Sequence, residues 1–137
     1  MPYRIIDHTA DFGLQVFGKD LKELFQNAGR ALFDQIVDVA AVTGDASMRL
    51  SVSGEDREEL MFNWLRELLY LWNGEQKLIR DLHIDRLSSG RLEARLRYDR
   101  YDQDRHPIKR DIKAVTYHQL QVRRWEGGWM AQVIFDV

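Results

Sequence analysis

The sequence contains no cysteine, which excludes disulfide bonds, zinc–thiolate sites and thiol nucleophiles. No apolar run approaches the length of a bilayer span, and residues 1–5 carry no signal-peptide pattern. We therefore expect a cytoplasmic protein without a membrane partner. A glycine-rich phosphate loop, a GxSxG elbow and an HExxH motif are also absent from the sequence, which argues against several large enzyme classes.

The composition is that of a globular chain, with 45% hydrophobic and 31% charged residues among 137. This length predicts a single domain over 1–137. The net charge of −2 is unevenly spread: residues 1–75 hold 13 acidic and 7 basic side chains, whereas 76–137 hold 9 and 13. An excess this small is a weak indicator of a nucleic-acid surface in the second half.

Two helices are predicted from apolar periodicity and capping boxes. In the first, Asp20 is the expected N-cap and Glu23 its partner, before an apolar stripe that runs to Ile36. In the second, Asp56 and Glu59 play the same parts. Its inward-facing residues are Leu60, Trp64, Leu68 and Leu71, and it ends near Asn73-Gly74.

The remaining apolar segments alternate with polar residues, as β-strands do. Strands are predicted at 3–6, 12–17, 48–52, 78–87, 92–98, 112–125 and 129–135, with a charged loop at 99–110. Two of the turns, 88–90 and 126–128, have the composition of hairpins. We detect no internal repeat. The fold class is therefore predicted as α+β, with two helices packed on a largely antiparallel sheet.

The last predicted strand runs directly into Asp136 and Val137. Two adjacent carboxylates on a rigid end favour a proton, a basic partner or a hard cation between them. The alternative is an ordinary solvated strand end. Asp11, in the segment 7–11 between two strands, either bonds local backbone groups in a turn or joins these carboxylates around Ca²⁺ or Mg²⁺.

The segment Asp111–His118 is a second candidate. Ile112 and Ala114 are predicted on one face of a strand, and Lys113 and Val115 on the other. A lysine in the middle of a strand either lies at an edge or is held for a carboxylate or phosphate of a partner.

Four segments together resemble the archease family: HTADFG at 8–13, ELLY at 67–70, IKAVTYHQLQV at 112–122 and VIFDV at 133–137. Archeases usually carry Gly-Glu before the charged loop, where Asp99-Arg100 follows Tyr98 in this sequence. The resemblance implies an archease-like single domain that is not an enzyme. It implies an accessory activator of an RtcB-type RNA ligase in tRNA splicing and RNA repair, which promotes guanylylation of the ligase and its multiple turnover.

By motif position, the resemblance implies that Asp11, Asp136 and Val137 bind a divalent cation, usually assigned as Ca²⁺. It implies that Lys113, His8 and His118 contact the partner ligase, and that any contact with RNA is indirect. A chaperone-like binding module for tRNA-processing or tRNA-modifying enzymes is the alternative function. A metal-dependent hydrolase is disfavoured, because no pairing of a general base with a nucleophile is visible.

Overall fold

The computed structural model of the chain describes residues 2–7 and 11–137. In this part of the chain, eight strands form two sheets in which every pairing is antiparallel. The strands are β1 (Tyr3–Asp7), β2 (Asp11–Gly18), β3 (Ala46–Ser53), β4 (Lys77–Leu87), β5 (Arg91–Arg100), β6 (Ala114–Val115), β7 (Gln121–Trp125) and β8 (Gly128–Asp136). The larger sheet has the order β1-β2-β8-β6, with β7 also paired to β8, and the smaller has the order β3-β5-β4.

There are two α-helices, α1 (Leu21–Ile36), which connects the larger sheet to the smaller, and α2 (Arg57–Asn73), which connects β3 and β4 of the smaller sheet; a short 3-10 helix lies at Val39–Ala41. Both predicted N-caps are confirmed, since Asp20 and Asp56 each accept a 2.8 Å hydrogen bond from the backbone N–H three residues later. The partners Glu23 and Glu59 accept a 3.2 Å hydrogen bond from the N–H of the residue before each cap, not from the cap itself. None of the helices in the described residues has the length and apolarity of a membrane span. The predicted α+β class is confirmed, with the strands divided between two sheets rather than gathered in one.

Each helix contacts strands of both sheets, so the core lies where the helices meet them. Trp64 of α2 is fully buried, and its indole N–H donates a 2.8 Å hydrogen bond to the carbonyl of Phe25 in α1. Gly29 of α1 lies at the same crossing. A Cβ at this position would be 2.6 Å from Leu82 Cδ2 in β4 and 3.0 Å from Leu68 Cδ1 in α2. A side chain here would therefore have to displace the ends of two buried leucine side chains.

A strand–glycine–helix unit occurs twice, first as β2–α1 and then as β3–α2. The matched residues, each pair 36 positions apart, are Gly18 and Gly54, Asp20 and Asp56, Glu23 and Glu59, Leu24 and Leu60, and Asn27 and Asn63. In both copies the asparagine amide donates a 2.8 Å hydrogen bond to a carbonyl of the preceding strand. The expectation of no internal repeat is therefore wrong.

The two copies also pair in the same way. β3 pairs with β5, the second strand of the β4–β5 hairpin, and β2 pairs with β8, the second strand of the β7–β8 hairpin. The copy that comprises β3, α2, β4 and β5 is inserted between α1 and the last strands of the other copy. Each sheet is thus the strand layer of one βαββ unit, and β1 and β6 extend the larger sheet.

The predicted strand over 112–125 is wrong as a single element. It is interrupted between β6 and β7, where the Thr116 side chain donates to the carbonyl of Ile134 and accepts from the backbone N–H of His118. Gln119 then adopts a φ of 51°, which a regular strand cannot contain. The predicted faces also fail, because Val115 is buried whereas Lys113 is exposed.

We predict that Gly29→Ala destabilises the fold by about 1–3 kcal/mol, because the added methyl group overpacks the helix crossing. Helix propensity alone would stabilise the variant by roughly 1 kcal/mol, so the sign of the change distinguishes the two effects. Urea unfolding measures it. Lys22→Ala, at an exposed position of the same helix, is the matched control, and a stabilised Gly29→Ala protein would contradict the packing explanation.

Candidate functional site

The candidate site lies at the end of β8, where this strand is paired on both sides. β2 pairs with one side of β8, and Asp11 is directly opposite Asp136 in that register. On the other side, β6 brings Ala114 opposite Asp136. Directly opposite residues of an antiparallel pair have Cβ atoms about 4.5–5.5 Å apart. The fold therefore brings together two carboxylates that are remote in sequence.

Lys113 reaches the same point from the segment before β6. Its backbone N–H donates a 2.8 Å hydrogen bond to the carbonyl of Asp136, and its side chain is exposed. The preceding residue, Ile112, is fully buried, and its carbonyl accepts a 2.9 Å hydrogen bond from the amide of Asn73 at the end of α2. This segment thus leads into an edge strand of the larger sheet, which was one of the two placements predicted for Lys113, and it is held against α2.

Aromatic packing supports the site from the core side of the larger sheet. The rings of Phe12 and Phe135 stack with centroids 5.2 Å apart, and both are buried. These residues immediately follow Asp11 and precede Asp136, so their packing fixes the two backbones that carry the carboxylates. Arg110 makes a cation–π contact with one of these rings: its guanidinium carbon lies 4.2 Å from the Phe12 ring centroid.

The side chains of the candidate site differ in exposure. Asp11 is half-buried, whereas Asp136, Lys113 and His118 are exposed, and Val137 is 43% exposed. His8 lies outside the described residues. Within residues 2–7 and 11–137, no oppositely charged side chain forms an ion pair within 4.0 Å with Asp11, Asp136 or Lys113. The opposed carboxylates therefore lack a protein counter-charge within that part of the chain.

The donor chemistry of this end of the sheet suits a hard cation, because carboxylate oxygens are the ligands that Ca²⁺ and Mg²⁺ prefer. In the described part of the chain, no group of three or more histidine, aspartate or glutamate side chains is arranged to hold a metal ion. Two aspartates supply fewer than the roughly six to eight oxygens that Ca²⁺ takes. Water, a terminal carboxylate or a partner would have to complete its coordination.

Tyr117 is a residue of this region to which sequence reasoning assigned no role. Its ring is 60% exposed, yet it stacks on Phe62 of α2 with centroids 3.8 Å apart and planes inclined by only 10°. Phe62 itself is buried. The interruption between β6 and β7 therefore holds an exposed aromatic ring in a fixed position against α2.

The charged loop predicted at 99–110 is not a simple solvated loop. Asp99 belongs to β5 and is buried, and so is His106. The Asp99 carboxylate accepts hydrogen bonds from the backbone N–H groups of Thr43, Gly44 and Asp45, at 2.9, 2.7 and 3.3 Å. A buried carboxylate needs such donors, and it binds the loop before β3 to the end of the smaller sheet.

His106 completes the environment of Asp99. Its Nδ1 accepts a 2.9 Å hydrogen bond from the backbone N–H of Asp102, so its Nε2 donates to the Asp99 carboxylate at 3.0 Å. Burial by itself raises the pKa of the Asp99 carboxyl, but the hydrogen bonds from Thr43, His106 and Gly44 outweigh burial and hold this pKa well below its usual range.

Comparisons with known proteins place this chain beside the archeases. Residues 3–137 match the archease protein family. The archease of Methanosarcina barkeri is 36% identical over 139 residues, which cover 98% of this chain and 95% of that protein. The archease of Archaeoglobus fulgidus is 34% identical over 139 residues, with both chains fully covered.

Solved structures agree with these relatives. The solution structure of protein 1598 from Methanobacterium thermoautotrophicum superposes with a TM-score of 0.83 at 30% identity, over 99% of both chains. The crystal structure of an archease from Thermotoga maritima, described as a possible chaperone, superposes with a TM-score of 0.69 at 23% identity, over 98% of this chain and 96% of that one. The second similarity supports the fold alone.

We predict that Asp99→Asn destabilises the protein at pH 7 by about 1–3 kcal/mol, because three backbone N–H donors lose a charged, buried acceptor. The folded-state pKa lies below the unfolded value of about 3.9, so the carboxylate stabilises the fold above pH 4 and this contribution is lost as the pH falls further. The difference between wild type and variant, measured by urea unfolding, should therefore shrink between pH 5 and pH 3. A constant difference across that range would contradict it.

Proposed function

The chain belongs to the archease family, and from that membership we propose that it is an accessory activator of an RtcB-type RNA ligase in tRNA splicing and RNA repair. In this proposal it is not itself an enzyme. It promotes guanylylation and repeated turnover of the ligase by binding the ligase's reactive state more tightly than its other states, since only such a difference can shift an equilibrium.

The observation that supports the proposal most is the pair of carboxylates, Asp11 and Asp136, directly opposite each other at one end of β8. Like charges in this arrangement destabilise a sheet, and no ion pair of the described residues offsets the repulsion. Such a pair is expected where a cation or a basic group of a partner binds. Stability of the isolated chain does not account for it.

In the proposed mechanism, Asp11, Asp136 and the α-carboxylate of Val137 hold a divalent cation, with Ca²⁺ expected. The ion would supply positive charge that neutralises these carboxylates and accepts further oxygen ligands. Because the protein alone offers few of the oxygens that Ca²⁺ takes, positions remain for water or a ligase carboxylate. Lys113, exposed beside Asp136, would contact a phosphate or a carboxylate of the ligase, and His8 and His118 remain proposed contacts.

The alternative is a chaperone-like binding module for tRNA-processing or tRNA-modifying enzymes. Two exposed aromatic side chains support it, Tyr117 at 60% and Trp125 at 39% exposure, because such residues are enriched where proteins bind one another. In that case this chain would raise the solubility or stability of the partner enzyme, and this effect would not depend on Asp136.

We predict that wild-type protein stimulates formation of the ligase guanylate from GTP and Mg²⁺, and that Asp11→Asn and Asp136→Asn each remove most of the stimulation. The covalent intermediate can be followed with radiolabelled GTP. Asp104→Asn, which removes one exposed carboxylate elsewhere, is the matched control.

Full stimulation by both variants would refute the carboxylate mechanism. If wild type gives no stimulation but prevents aggregation of the ligase during heating, the chaperone-like alternative would replace the activator.

We also predict that Ca²⁺ binds wild type and binds Asp136→Asn about tenfold more weakly, a difference of 1.4 kcal/mol. In EDTA the order of stability should reverse: Asp136→Asn should have the higher Tm, because it removes like-charge repulsion. Calorimetric titration and thermal unfolding with and without Ca²⁺ measure both effects. Equal Ca²⁺ affinity of the two proteins would rule out Asp136 as a ligand.

A further inference from the structure

The smaller sheet has an outer face that the proposed function does not use. An open depression of about 550 Å³ lies on it, lined mainly by polar and charged side chains: Ser47 and Arg49 of β3, Arg95 and Arg97 of β5, and Asp81 and His83 of β4. All six are exposed. The depression is therefore a surface of the strand layer of the inserted βαββ unit.

Two of the arginines face each other across neighbouring strands, and the carboxylate of Asp85 lies near both. Arg49 is directly opposite Arg95, and a like-charge pair in this position is destabilising. Arg95 is held by Asp85, whose carboxylate accepts from its Nε at 2.9 and 3.0 Å and from its Nη2 at 2.9 Å. In the described part of the chain, Arg49 and Arg97 have no ion pair within 4.0 Å.

The repeated unit relates this face to the carboxylate site. Ser47 is the counterpart of Asp11 in the second copy, because the two lie 36 positions apart, as the other matched residues do. Ser47 is opposite Arg97 in β5, just as Asp11 is opposite Asp136 in β8. The equivalent pairs of the two sheets thus differ in charge: two carboxylates face each other in the larger sheet, whereas a serine faces an arginine in the smaller.

We propose that this outer face binds the phosphate backbone of single-stranded RNA, through Arg49 and Arg97 and through the side of the Arg95 guanidinium that does not face Asp85. Guanidinium groups donate paired hydrogen bonds to phosphate oxygens. Arg95 and Arg97 are two positions apart on one strand, a separation of about 6.8 Å that is comparable to the spacing of successive phosphates in an extended RNA chain. The choice of RNA over an acidic peptide rests on the proposed function, in which the partner enzyme joins RNA ends.

The same face also carries acidic side chains, and these set the strength of the interaction. Asp85 forms an ion pair with Arg95, and Asp81 is opposite Arg97. On β5, Glu93 lies between Arg91 and Arg95 and forms an ion pair with Arg91. The site therefore binds weakly and reads no sequence, because all of its named contacts go to phosphates. It would hold an RNA strand near the ligase, not select it.

The test measures binding of a fluorescent 12-nucleotide single-stranded RNA to this protein alone, by anisotropy at several salt concentrations. Arg49→Ala and Arg97→Ala should each weaken binding about three- to tenfold. Each should also reduce the slope of log K against log salt by about 0.7, the value for one phosphate contact on a single strand. Asp85→Asn, which releases Arg95 and removes one negative charge, should tighten binding several-fold.

Arg4→Ala is the matched control, since Arg4 is an exposed arginine of the larger sheet and its loss changes the net charge equally. The proposal is overturned if Arg4→Ala weakens binding as much as Arg97→Ala, or if wild type does not bind at low salt. It is also overturned if a poly-glutamate peptide of equal charge displaces the RNA at equal concentration. Because the ligase is absent, failure here leaves the guanylylation assay unaffected, and failure of that assay leaves this binding measurable.

Discussion

The pairing of β8 on both sides is the constraint on which the rest of the structure depends. β2 occupies one side of this strand, and β6 and β7 share the other. A slip of one residue in any of these registers would turn Asp136 and its neighbours to the opposite face. The stacked Phe12 and Phe135 rings oppose such a slip, because it would expose buried aromatic surface. The hydrogen-bonded register of β2 and β8 therefore determines both the core packing and the geometry of the candidate site.

Much of the fold could be predicted because its signals are local. The capping boxes at Asp20 and Asp56 and the apolar stripes that follow define both helices within a few residues of sequence. The register that brings Asp11 to Asp136 is not local, so ligand chemistry offered their association only as one of two alternatives, and the family resemblance favoured it. The interruption after Val115 could not be predicted because the surrounding sequence alternates like a strand, whereas the turn is formed by the Thr116 hydroxyl, which bonds the Ile134 carbonyl and the His118 N–H.

The buried Asp99–His106 pair was missed for a related reason. A stretch of aspartates and arginines is typical of a solvated loop, and nothing near Asp99 in sequence indicates that residues 43–45 will surround it with N–H donors. The repeat was hidden in the same way. Its conserved features are glycine, caps and one asparagine amide, which specify how a strand enters a helix, whereas the strand residues that carry charge differ completely between the two copies.

The nested order of the two βαββ units determines when each part of the molecule can form. The inserted unit is contiguous, and its hairpin and helix contacts close short loops, which is fast. The larger sheet must join partners such as Gln15 and Gln132, which are 117 positions apart, across the whole inserted unit. Loop closure therefore costs more entropy for the opposed carboxylates than for the arginine face. The pairing of Asp11 with Asp136 spans more of the sequence than any other strand pairing of the described residues, so this site reports whether the larger sheet has closed.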